Sequence, residues 1–121
     1  MATIHQKLAV FVVLMSLLGA LWAGYSASHR RVGERLHWLA WLTVALTAVE
    51  AIAGVAAAGG GARPSDPLHF VFGPAAVLAL PAGLLISRAR SPRAASVIVL
   101  AAWLITLVLS LRAAGTGGAL N

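Results

Sequence analysis

The chain has 121 residues, 60% of them hydrophobic and 10% charged, with a mean hydropathy of +0.91. A soluble domain needs far more polar surface, so the solvent of this protein is mostly lipid, and no stretch is long enough to form a separate soluble domain. The absence of cysteine excludes disulfides, thiolate-ligated metals, iron–sulfur clusters and covalently attached c-type haem. The net charge of +6 sits in short loops between apolar runs, which is the pattern of membrane topology and not of nucleic-acid binding.

Four apolar runs are long enough to span a bilayer, which takes about 20 residues each. They cover approximately 4–27, 36–58, 67–87 and 94–114. The expected fold is therefore all-α: one polytopic domain, residues 1–121, built as an antiparallel four-helix transmembrane bundle. Thr3 is the expected cap of the first span. Residues 1–28 contain the small side chains of a signal-peptide cleavage region, but the apolar run is too long for a signal core, and a retained span is expected.

The loops at 28–35 and 88–93 together carry six of the nine Lys and Arg, and Lys7, Arg63 and Arg112 fall at the other end. The positive-inside rule then places both basic loops in the cytoplasm and both termini outside it, in a multi-pass protein of the inner (cytoplasmic) membrane. Trp38 and Trp41 follow the first basic loop, where an aromatic belt belongs. Gly59-Gly60-Gly61 stops the second span. The segment Arg63-Pro64-Ser65-Asp66-Pro67-Leu68-His69-Phe70 is the only sharply punctuated polar stretch between the apolar halves. Asp66 suits an N-cap and Pro67 the first helical position, which puts His69 in the first turn of the third span. Pro74 and Pro81 are expected to bend that span. The tail from Gly115 reads as flexible, and no internal repeat is apparent.

Wound at 3.6 residues per turn, each span has a stripe of small or weakly polar residues suited to helix contacts. In the first it is Ser16, Gly19, Ala20 and Ala23; in the second, Thr43, Thr47, Glu50 and Gly54. In the third it runs from His69 through Gly73, Ala76, Leu80 and Gly83 to Ser87, and in the fourth it is Trp103, Thr106 and Ser110.

Glu50 is the only acid well inside a span, and an intramembrane carboxylate is costly enough to mark a polar or proton site, together with Asp66. His5 and His69 open the first and third spans, which face each other across the diagonal of an up-down bundle. They share the extracytoplasmic layer with Arg63 and Arg112, whereas Glu50 is expected too deep to join both imidazoles. Two opposed imidazoles are the ligand set of a b-type haem, with Arg63 and Arg112 as partners for its carboxylates and Gly73 relieving crowding against a flat ring. His29 and His37 lie among arginines and are expected at the headgroups.

The pattern of His5 opening the first span and Leu68-His69-Phe70-Val71-Phe72-Gly73 opening the third is similar to small bacterial four-helix membrane proteins and resembles the four-helix units of the cytochrome b561 and haem A synthase families. That resemblance implies one haem b held between helices, with electron transfer or haem handling as its use and a quinone or redox protein as partner. Only the two histidines match. The second histidine pair of b561-type proteins and the Glu-x-x-His-Arg run of haem A synthases are missing, so no enzymatic activity carries over. Length, span number and a membrane Glu also look like the small multidrug resistance family of proton-coupled exporters, but there the essential Glu lies in the first span and Glu50 lies in the second. A third alternative is an accessory or assembly subunit of a respiratory or photosynthetic complex, held by small-residue stripes as a homo-oligomer or within a larger assembly. No catalytic motif of a soluble enzyme is present.

Overall fold

The computed structural model describes residues 2–120. It contains four helices: α1 (Ala2–Ser28), α2 (Glu34–Gly59), α3 (His69–Ser87) and α4 (Pro92–Gly117). Among the described residues there is no strand. Each helix is long and apolar enough to cross a membrane.

The helix ends follow local chemistry. α1 begins at Ala2, so Thr3 lies within the helix and does not cap it. At its far end the Arg31 N–H donates to Ser26 O and the Arg30 N–H to Ala27 O, which closes the last turn around Arg30 in the left-handed region at φ 56°. α2 stops at Gly59, and Gly61 turns the chain at φ 91°, a conformation open mainly to glycine. Asp66 Oδ1 accepts from the Leu68 N–H at 2.8 Å. The next N–H groups reach back only three residues, His69 to Asp66 O and Phe70 to Pro67 O, so a tight turn precedes α3 and the regular helix starts at His69, two residues after Pro67. α3 continues through Pro74 and Pro81. Ser91 caps α4 by accepting from the Ala94 N–H, with Pro92 at the first position. The expected flexible tail is instead partly helix: α4 runs to Gly117, and Thr116 O accepts from both the Asp66 N–H at 3.0 Å and Ser65 Oγ at 2.7 Å.

The helices pack as a ring. α1 meets α2 and α4, α3 meets α2 and α4, and the diagonal pairs do not touch through their backbones. Every stripe read from the sequence turns inward. Ser16, Gly19, Ala20 and Ala23 are buried, as are Thr43 and Thr47, Ala76, Leu80 and Gly83, and Trp103, Thr106 and Ser110. Large apolar side chains point the other way, Val55 being 75% exposed and Leu21 67%. That is the reverse of a water-soluble bundle, and it is the arrangement that lets backbones approach closely where helices meet. The buried threonines bond along their own helices, Thr43 Oγ1 donating to Leu39 O at 2.8 Å, Thr47 Oγ1 to Thr43 O at 2.7 Å and Thr106 Oγ1 to Ala102 O at 2.7 Å, whereas the buried Ser16 and Ser110 hydroxyls have no partner among the described residues.

The tight apolar core, built around Leu36, Leu84, Val99 and Trp103, lies toward the end that carries the α1–α2 and α3–α4 loops. Trp103 is 0% exposed, and its six-membered ring occupies the space that a Cβ on Gly19 would need. The other end is looser, and the candidate site lies there.

Candidate functional site

His5 sits in the first turn of α1 and His69 at the start of α3, on helices whose backbones do not touch. Their side chains nevertheless meet across the bundle: the imidazole centroids are 5.7 Å apart and the ring planes stand at 83°.

Each ring is held by the helix beside it. His5 Nδ1 lies 3.2 Å from Glu50 O, and His69 Nδ1 lies 2.9 Å from Ala113 O. A carbonyl oxygen can only accept, so in both bonds Nδ1 carries the hydrogen. In the neutral imidazole this leaves Nε2 unprotonated, with its lone pair available. Among the described residues neither Nε2 has a hydrogen-bond partner. Glu50 also reaches His5 with its side chain, Oε1 to Nδ1 at 3.1 Å, both side chains being 15% exposed. Glu50 thus reaches one of the two imidazoles, that of His5. α1 and α2 meet with His5 level with Glu50, about four turns of α-helix beyond the start of α2 at Glu34.

Beside the two rings is a cleft of about 520 Å³, within the roughly 300–1,000 Å³ usual for ligand sites. Its walls come chiefly from α2 and α3, and Arg63 and Pro64 of the connecting segment form its rim. His5, Glu50 and His69 supply the polar part, and residues such as Val55, Phe70 and Leu78 the apolar part. Gly73 faces it, with no atom within 4 Å of where a Cβ would lie. α4 contributes only Gly117.

The sequence-derived set therefore divides. His5, His69, Glu50, Arg63 and Gly73 come together at the cleft. Arg112 does not: it is exposed on α4 and is absent from the cleft wall. Asp66 is occupied in capping the turn before α3. Among the described residues no group of three or more His, Cys, Asp or Glu side chains is arranged to hold a bare metal ion. His29 and His37 are exposed, with His29 Nδ1 bonded to Tyr25 O and His37 Nε2 accepting from Trp41 Nε1.

Two glycines belong to the site for reasons the sequence did not announce. A Cβ on Gly54 would lie 2.9 Å from His5 Cε1, and one on Gly117 would lie 2.9 Å from His69 Cε1. Gly54 reads from the sequence only as a packing residue, and Gly117 lies in a glycine-rich tail. No signal in the sequence marks them, because each is placed by the carbonyl that its histidine bonds, four residues earlier, and only the fold shows that bond.

No family model, characterised protein or solved structure matches this chain, so its function must be read from side-chain geometry alone.

Proposed function

We propose that this protein is an antiparallel four-span membrane bundle that holds one b-type haem between His5 and His69, near the extracytoplasmic face. The membrane part rests on four long apolar helices whose bulky side chains point outward and on basic loops gathered at one end. The haem part rests chiefly on one observation. Two imidazoles from diagonal helices meet edge to face, and each has its Nδ1 bonded to a carbonyl and its Nε2 without a partner among the described residues.

The residues fit the group. His5 and His69, with ring centroids 5.7 Å apart, would hold the group's iron through their Nε2 atoms. The Nδ1 bonds to backbone carbonyls are the outer contacts that orient histidine ligands and raise their basicity. The cleft has the volume and the apolar lining, Gly73 leaves a flat face free, and Arg63 at the rim suits a carboxylate. A haem in this position supplies one-electron transfer. The chain's own contributions are orientation of both imidazoles, exclusion of water by the apolar wall, and a cation at the rim. Pairing of Glu50 with His5 favours this reading over export, which would need the carboxylate free to exchange protons with a substrate.

The test is a spectrum. Protein purified from cells supplied with haem should show a Soret band that shifts and sharpens on reduction. His69→Ala should remove the low-spin signature while the helical content stays. Purified, folded protein that takes up no haem either in cells or on titration with haemin would end the proposal.

A further inference from the structure

The two imidazoles are held by the same construction, made twice. His5 bonds a carbonyl 45 residues on, and its ring lies on the glycine four residues beyond that carbonyl. His69 bonds a carbonyl 44 residues on, and its ring lies on the glycine four residues beyond that one. The correspondence extends through both hairpins. With His5 laid over His69, the buried positions Val12, Ser16, Gly19 and Ala20 of α1 fall on Ala76, Leu80, Gly83 and Leu84, all buried in α3. With Gly54 laid over Gly117, the buried positions Leu36, Ala40, Thr43 and Thr47 of α2 fall on Val99, Trp103, Thr106 and Ser110, all buried in α4. Ala40 and Trp103 are thus the most unequal in size of these buried pairs. Even the hydroxyl bonds correspond, since Thr43 donates to Leu39 O and Thr106 to Ala102 O.

We propose that the chain is a duplicated helical hairpin whose halves each build one imidazole seat, with Gly54 and Gly117 as the positioning residues of His5 and His69. The physical reason is the same in both seats. The ring edge bearing Cε1 approaches the neighbouring helix so closely that a methyl group there would sit 2.9 Å from it, a separation that side-chain carbons do not adopt without one of them moving. Moving the ring away lengthens the Nδ1 bond to the carbonyl one turn earlier, and with that bond goes the preference for the tautomer whose Nε2 is bare. Glycine therefore sets the tautomer through the ring's position. The seats differ in one respect: Glu50 adds a carboxylate to the first, and the equivalent residue in the second is Ala113. That both seats serve one haem rests on the function proposed above; the seats themselves do not depend on it.

The experiment reads the seats without haem. In ¹⁵N-histidine-labelled protein in detergent micelles, long-range proton–nitrogen correlations report which ring nitrogen carries the hydrogen. Wild type should show the Nδ1–H form for His5 and His69. Gly54→Ala should return His5 alone to the Nε2–H form that imidazoles favour in water, and Gly117→Ala should do the same to His69 alone. Gly24→Ala, where a methyl meets open space, should change neither. In a parallel haemin titration each seat variant should bind at least tenfold more weakly than wild type. An Nε2–H form on either ring of the wild type overturns the proposal, even where a variant does not fold. So does a folded Gly54→Ala or Gly117→Ala that leaves its own histidine unchanged. The expected tautomers together with no haem uptake by wild type would support the seats and reject the haem.

Discussion

The contact between Gly19 and Trp103 tests the packing of the bundle most directly. Helix association in a bilayer gains little from the hydrophobic effect, because lipid is as apolar as the core, so close packing carries the stability. Trp103 is fully buried, and a Cβ on Gly19 would overlap its six-membered ring. Gly19→Ala therefore overpacks a site with no room to yield, at the upper end of the usual range, about 3 kcal/mol. Trp103→Ala removes the ring and leaves a cavity, a loss of about 3–5 kcal/mol. In the double variant the added methyl enters space that the indole has vacated, so the Gly19→Ala penalty should vanish. The coupling between the two positions is then about 3 kcal/mol, well beyond the roughly 0.5 kcal/mol within which independent sites add. The assay is reversible unfolding by increasing mole fraction of sodium dodecyl sulfate in maltoside micelles, followed by circular dichroism. Additive losses in the two single variants and the double variant would show that α1 and α4 do not meet at these residues, and the packing of that helix pair would be wrong.

Two further outcomes concern the helix ends. Arg30 holds a left-handed backbone at φ 56°, which costs a non-glycine residue about 1–2 kcal/mol; part of the gain from replacing it is offset by the greater freedom of glycine in the unfolded chain. Arg30→Gly should therefore stabilise the bundle by about 0.5–1 kcal/mol in the same titration, and a clear loss would contradict the turn geometry. Asp66→Ala removes the acceptor of the Leu68 N–H and should lower stability by about 1 kcal/mol, with faster hydrogen exchange at the Leu68 amide; unchanged exchange there would show that the carboxylate does not cap the turn.

The inward faces were legible in the sequence because a run that is apolar almost throughout inverts the usual cue. Ser16, Thr43, Thr106 and Ser110 stand out among Leu, Ile and Val, and all four are buried. The diagonal meeting of His5 and His69 was legible for a different reason. Short loops make sequential helices neighbours, which leaves the first and third spans to face each other with their opening histidines at one level. The position of Glu50 was not legible, because its reach to His5 depends on how far α2 slides along α1, and hydropathy says nothing about that register. Arg112 was misplaced for a related reason: depth along a span does not fix the direction a side chain takes around it. It is exposed on α4 and not on the cleft wall.

The duplication was hidden by the way a bundle fills its centre. Equivalent positions on the two hairpins meet in one core, so a large side chain on one half needs a small one on the other. Trp103 stands where the first half has Ala40, Leu80 where it has Ser16, and Leu84 where it has Ala20. Complementary packing thus erases sequence identity at the positions where shared ancestry would otherwise be most visible. Identical residues survive at scattered positions, among them those where the chemistry cannot be traded for volume. His5 and His69 need an imidazole, Gly54 and Gly117 need the absence of a side chain, and Thr43 and Thr106 need a hydroxyl that closes on its own helix. Those pairs are too sparse to register as a repeat along the chain, and they become one only when each glycine is seen beneath its ring.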